Sequence, residues 1–277
     1  MLAQRIATAV LLIAAFLAAL LFLPPNGWIA IALVVLGLGA WEWGAFARLP
    51  QGARVAYTVL MTAAGGVAAV LLGLGGGRTG IAEALLPVYA GAAIFWAAAV
   101  PVWLHRVPPA PPRGAVLLIG WVVLLPTFLA LIHLRNIQPV TLLGFMMVVW
   151  IADIAAYFAG RRFGRRKLAP RVSPGKTWEG FYGAMGATAL YALAWAAFAP
   201  QHSPSIVRDL PLPVLGMLVL VAVLAVLSVL GDLFESAMKR QAGLKDSGSI
   251  LPGHGGVLDR IDALTSVLPV AALVSLL

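Results

Sequence analysis

The sequence predicts an all-α polytopic membrane protein, with its active site at the cytoplasmic interface. Hydrophobic residues make up 62% of the 277-residue chain and charged residues only 10%, against about 25% charged in soluble domains. The mean hydropathy is +0.98. The apolar residues come in uninterrupted runs of about 20, the length of a membrane-spanning helix, whereas barrel strands alternate polar and apolar positions. There is no cysteine, which excludes disulfides and thiol chemistry.

About nine transmembrane helices follow in order. The first, 6–23, resembles a signal peptide, but it lacks a convincing small-x-small cleavage site before the next span, so it reads as a retained helix. Pro24, Pro25, Asn26 and Gly27 separate it from 28–47. The third span, 55–75, runs into Gly75, Gly76 and Gly77, and the fourth, 81–104, precedes the stretch from Pro108 to Pro112. Spans 114–134 and 139–160 follow, then a basic loop, then 179–199, 211–235 and 257–277. No internal repeat and no separate soluble domain is evident, so 1–277 reads as one integral domain. Residues 1–140 hold five N-terminal spans with almost no polar signal, and 141–277 hold the catalytic spans and loops.

Charge sets the orientation. With nine spans, 16 of the 19 basic residues fall on the side of the N-terminus, and only Arg78, Arg135 and Arg208 fall opposite. The positive-inside rule makes the crowded side cytoplasmic. The net charge of +9 is therefore mainly a topology signal, and no nucleic-acid partner is expected. The acids are not explained this way. Eight of ten, all but Glu83 and Asp209, also lie on or near the basic side, and five of them lie between 232 and 262. Acids and bases gathered on one membrane face suggest a site for a cation and an anion together. His105, His133 and His202 read as surface residues.

Three polar constellations carry the chemistry. In GDLFESAMKR, residues 231 to 240, Asp232, Glu235, Ser236 and Lys239 share one helical face. A frayed helix end with an ordinary Glu235–Lys239 pair would explain the spacing. It would not explain a carboxylate directly after a long apolar run. In KDSGSILPGHGGVLDRID, residues 245 to 262, the glycines of PGHGG let backbone amides approach an oxyanion. Asp259 and Asp262 follow at i,i+3, and hard cations such as Mg²⁺ take carboxylate and phosphate oxygens. The third constellation, 150 to 180, places Asp153 inside an apolar span, as a functional group or a structural hydrogen bond. Its basic run, Arg161 to Lys167, reads as a topology anchor or a contact with anionic lipid. Then comes SPGKTWEG, where Ser173 or Thr177 caps the next helix beside Lys176 and Glu179.

Carboxylates for a divalent metal, bases and glycine amides for phosphates, and a lipid-facing location suit phosphoryl or nucleotidyl transfer, in which catalysis is mostly positioning and charge neutralisation. The ordered set Ser236, Lys239, Arg240, Lys245, Asp246, Pro252, Gly253, His254, Gly255, Gly256, Asp259, Arg260 and Asp262 resembles the signature of the phosphatidate cytidylyltransferases, or CDP-diacylglycerol synthases. SPGKTWEG resembles a second motif of that family, Ser-Pro-Lys-Lys-Thr-Trp-Glu-Gly, with Gly175 in place of the first lysine. Ala152 stands before Asp153 where the family often has asparagine.

The resemblance implies that CTP and phosphatidic acid give CDP-diacylglycerol and pyrophosphate. It also implies Mg²⁺, with K⁺ as a second cation, and a homodimer in a bacterial cytoplasmic membrane. Asp232, Lys239, Asp246, His254 and Asp259 are the expected catalytic residues, with Asp232, Asp259 and Asp262 as metal ligands. Ser173, Lys176, Thr177, Glu179, Ser236, Arg240, Lys245, Gly253, Gly255, Gly256 and Arg260 are expected to bind substrate. The alternatives are a related nucleotidyltransferase acting on another lipid phosphate, or an ion-coupled transporter with the acids as a relay.

Overall fold

The computed structural model describes residues 2–76, 82–250, 253 and 255–277. Each predicted span is helical: α1 (Leu2–Phe22), α2 (Pro25–Phe46), α3 (Gln51–Leu71), α4 (Ala82–Ile94) with α5 (Val100–Arg106), α6 (Arg113–Ile137), α7 (Pro139–Phe163), α8 (Trp178–Phe198), α10 (Pro213–Ala242) and α11 (Leu258–Leu276). A short α9 (Ser205–Arg208) lies between α8 and α10. Among the described residues, α2, α3, the α4–α5 unit, α6, α7, α8 and α10 are seven helices long and apolar enough to cross a membrane. The described apolar part of α1 is Ile13–Phe22, and α11 carries Asp259, Arg260 and Asp262 within its first five residues.

Local chemistry sets the helix ends. Proline in the first turn opens α2, α7 and α10, where its missing N–H costs nothing. Gly243, in the left-handed conformation at φ 76°, closes α10. Pro101 cannot donate to the carbonyl four residues back, and the chain just before it, Phe95–Ala99, widens into a π turn between α4 and α5.

The basic loop between α7 and α8 is not wholly irregular. It holds a small antiparallel hairpin, β1 (Lys167–Ala169) and β2 (Ser173–Thr177), with Lys167 opposite Thr177 and Ala169 opposite Ser173.

The connections gather alternately at the two ends of the bundle. At one end Arg48 Nη2 donates to the Gln241 carbonyl at 3.1 Å, and Gln241 Nε2 donates to that of Pro108 at 2.7 Å. At the other end Arg135 Nε donates to the Leu20 carbonyl at 3.3 Å, and Asn136 Nδ2 to that of Leu74 at 2.9 Å. The α7–α8 connection with its hairpin and the described residues between α10 and α11 fall at the first end, so the second and third polar constellations meet there.

Two packing details fix the acids of α10. The ring of Phe234 stands edge-on to Phe95, Trp96 and Trp103, with centroids 5.5, 5.5 and 5.9 Å away, and locks α10 against the α4–α5 unit. Gly231 allows α11 to come close: a Cβ there would lie 2.6 Å from Ser266 Oγ and 2.8 Å from the Asp262 carbonyl. Asp232 and Asp262 line the same cavity. One sequence expectation fails in the core. His133 is 1% exposed and stacks on Tyr89 with ring centroids 5.8 Å apart, so it is a packing residue and not a surface one.

Candidate active site

A cavity of about 570 Å³ lies among α7, β2, α8, α10 and the start of α11. It collects charged residues from all of these: Asp153 and Arg161 from α7, Lys176 from β2, Asp232 from α10, and Asp259, Arg260 and Asp262 from α11. Ser173 and Thr177 also line it. Thr177 is the N-cap of α8, its hydroxyl oxygen accepting the Gly180 amide at 3.1 Å.

Two lysine–carboxylate pairs organise the charges. Lys176 Nζ lies 2.7 Å from Asp232 Oδ2, and joins the hairpin to α10. Lys239 Nζ donates to Asp259 Oδ1 at 2.6 Å and to Glu235 Oε2 at 3.1 Å, and joins α10 to α11. The Lys239 and Glu235 side chains are 11% and 6% exposed, so this is an interior network and not a frayed helix end. The Asp259 carboxylate also accepts the backbone amides of Ser247, at 3.0 Å, and Gly256, at 2.8 Å. Ser236 Oγ donates to Asp232 Oδ1 at 3.4 Å.

The other predicted residues sit further out. Glu179 turns away to accept the amides of Arg165, at 3.0 Å, and Arg166, at 3.2 Å, so it braces the basic loop. Arg240 is exposed and donates to the Leu244 carbonyl at 3.2 Å. Lys245 and Asp246 are exposed on the segment after α10. Gly253 and Gly255 adopt positive φ of 73° and 81°, but the Gly256 amide is already spent on Asp259 and is not free for a phosphate. His254 lies outside the described residues.

Among the described residues, no three His, Cys, Asp or Glu side chains converge as a ready metal site. The donor chemistry nonetheless fits a hard divalent cation. Asp153, Asp232 and Asp262 bring carboxylates to one cavity. The lining offers oxygen donors and no soft ligand among the described residues.

One organising residue was not singled out from the sequence. Glu42, near the end of α2, is fully buried and accepts the Ser247 hydroxyl at 2.9 Å and the amides of Val257 and Leu258 at 2.9 and 2.8 Å. The N-terminal spans therefore do carry a polar signal. An acid inside an apolar run, the feature that singled out Asp153, marks Glu42 as well.

Similarity to known proteins agrees with this chemistry. The model of the cytidylyltransferase family matches residues 3–277. The chain is 39% identical over 284 residues to the phosphatidate cytidylyltransferase of Pseudomonas aeruginosa, covering 98% of this chain and 96% of that one. It is 37% identical to the Haemophilus influenzae enzyme of the same name, covering 97% and 96%. Its identity to the Bacillus subtilis phosphatidate cytidylyltransferase is 46% over 123 residues, 44% of this chain and 42% of that one.

Proposed function

The chain belongs to the cytidylyltransferase family, and from that membership we infer that it transfers the cytidylyl group of CTP to phosphatidic acid, giving CDP-diacylglycerol and pyrophosphate. A phosphate oxygen of phosphatidic acid attacks the α-phosphorus of CTP, and the bond from that phosphorus to the β-phosphate oxygen breaks. The attacking phosphate is anionic at neutral pH, so the reaction needs no strong general base. The observation that carries this reading is the cavity that combines Asp153, Asp232 and Asp262 with Lys176, Arg161 and Arg260 at the end of an apolar bundle. Acids without bases would suit an ion relay. The two together suit a metal-bound triphosphate.

In this reading Lys176, Arg161 and Arg260 offset the charge of the triphosphate and the leaving pyrophosphate. Lys239 stands behind Asp259 and fixes its direction. Asp232 and Asp262, with Asp259 as the third expected ligand, would hold Mg²⁺, with K⁺ as a second cation. A cation held there would supply neutralisation of charge developing on the phosphoryl oxygens. The lipid enters from the bilayer side, where Ile154, Tyr157 and Phe158 of α7 are 59%, 58% and 65% exposed beside the Asp153 wall. The site lies at the cytoplasmic end of a bacterial inner-membrane protein, on the support of the basic-residue distribution. A homodimer follows from the family resemblance, and its mass in detergent tests that.

The direct experiment gives purified protein radiolabelled CTP, Mg²⁺ and a panel of lipid phosphates, and follows labelled lipid and pyrophosphate. Transfer to phosphatidic acid is expected. Transfer only to a different lipid phosphate would move the assignment to a related nucleotidyltransferase, and no transfer to any of them would remove it.

A further inference from the structure

Glu42 is a fully buried carboxylate with three hydrogen-bond donors, and all three lie on the segment that leads into α11. Those donors are 205 to 216 residues away in sequence. α11 has no side-chain cap of its own. Its first amides point at Glu42 instead, so a residue of α2 caps a helix from across the bundle. The contact continues to the site. The Ser247 hydroxyl donates to Glu42 and accepts the Asp259 amide at 3.3 Å, while the Ser247 amide donates back to the Asp259 carboxylate at 3.0 Å. Asp259 in turn holds Lys239. The glycines of the segment fit this contact. A Cβ on Gly256 would lie 2.6 Å from both Glu42 carboxylate oxygens, and one on Gly248 would lie 2.6 Å from Glu42 Oε1.

We propose that Glu42 is a positioning residue for the transfer reaction, acting through Ser247 to fix the Asp259 carboxylate and the start of α11. It rests on the reading that this cavity is where CTP reacts. Glu42 does not line the cavity, so its contribution reaches substrate only through the segment it holds. A carboxylate suits the task because three donors converge on it. Glutamine keeps the shape but turns an NH₂ group toward one of them, which leaves a buried donor facing a donor.

The experiment compares E42Q, S247A and the double variant with the wild type. It measures steady-state kinetics with CTP and phosphatidic acid, and amide hydrogen exchange along the chain. E42Q is expected to lower kcat about 10- to 100-fold, the equivalent of one or two lost buried acceptors. KM for CTP should stay within about threefold, because charge in the cavity is untouched. Exchange should rise in 247–258 and not in α6 or α7. The double variant should be no worse than E42Q alone, since both residues lie on one path. A merely structural role predicts a lower melting temperature with kcat intact well below it, and that result would overturn the proposal, as would additive losses in the double variant. If E42Q does not fold, S247A carries the test, because it leaves both backbone donors of Glu42 in place: wild-type kcat in S247A would then refute the relay. A wild-type protein inactive on CTP would overturn the transferase reading itself. An active wild type with unmoved kcat in E42Q would overturn only this role.

Discussion

Asp232 and Asp259 are both expected to be essential, yet the structure predicts that their asparagine variants differ in stability. Near a membrane a neutral amide is cheaper than a carboxylate, so hydropathy alone predicts that both variants fold as well as the wild type. Asp259, however, is bound by Lys239 at 2.6 Å with side chains only 11% and 10% exposed, and it accepts two backbone amides. Removing one partner of a buried pair costs about 3–5 kcal/mol. Here Glu235 still compensates Lys239 at 3.1 Å, and asparagine keeps one acceptor, so the loss should be about 2–3 kcal/mol. That corresponds to a melting drop of roughly 5–10 °C for a chain of this size. Asp232 has its ion pair with Lys176 at 24% and 28% side-chain exposure, where screening leaves at most about 1 kcal/mol. Both variants should lose at least about a thousandfold in rate, because each removes negative charge from the candidate metal site. Labelled CDP-diacylglycerol formation measures the rate, and tryptophan fluorescence during heating in detergent measures the melt. Near wild-type turnover in both variants would refute the site assignment. A larger melting loss for Asp232→Asn than for Asp259→Asn would refute the energetic ranking.

Three further outcomes are expected. Reporter fusions should place the N-terminus in the cytoplasm and the C-terminus outside, and the same location for both would make the number of crossings even. Arg162→Gln should change turnover less than about threefold, since an exposed basic side chain that sets topology contributes little to a buried transition state; a loss as large as that of Asp232→Asn would add Arg162 to the site beside Arg161. Gly256→Ala should lower activity at least about tenfold, because its Cβ would meet both Glu42 oxygens at 2.6 Å and displace the amide that holds Asp259. Wild-type kinetics in that variant would show that the segment has room to shift.

The spans were legible because nothing but helix satisfies a backbone in lipid, so apolar length alone located them. Their ends were less so. The predicted eighth span stops at 235, whereas α10 runs on to Ala242. Hydropathy falls where Glu235 and Lys239 appear, but the two neutralise each other at i,i+4 and the helix continues through them. The hairpin was missed for the opposite reason. Ser-Pro-Gly-Lys-Thr has low strand propensity because of its proline and glycine, and its conformation comes from pairing with 167–169. The motif residues identified the chemistry, and the cavity gathers Ser173, Lys176, Thr177, Asp232, Asp259, Arg260 and Asp262. Their pairing was not legible. No spacing rule joins Lys176 to Asp232 or Glu42 to Ser247, because tertiary packing alone makes those residues neighbours.

That pairing bears on how an apolar bundle holds so many charges. A single buried carboxylate is expensive. Glu42, Ser247, Asp259, Lys239 and Glu235 instead form a continuous chain of hydrogen bonds from α2 to α10, in which each buried acceptor has at least one donor. The exception is Glu235 Oε1, buried without a hydrogen-bond partner. It adjoins Asp262, which also feels the charges of Asp232 and Asp153. The chain reaches the cavity at Asp259, whose acidic neighbours on that wall are Asp153, Asp232 and Asp262. Carboxylates gathered on one wall gain from a cation that neutralises them together. The hydrogen bonds therefore tie a scaffold anchored at Glu42 to the wall of the candidate site, and Asp259 belongs to both.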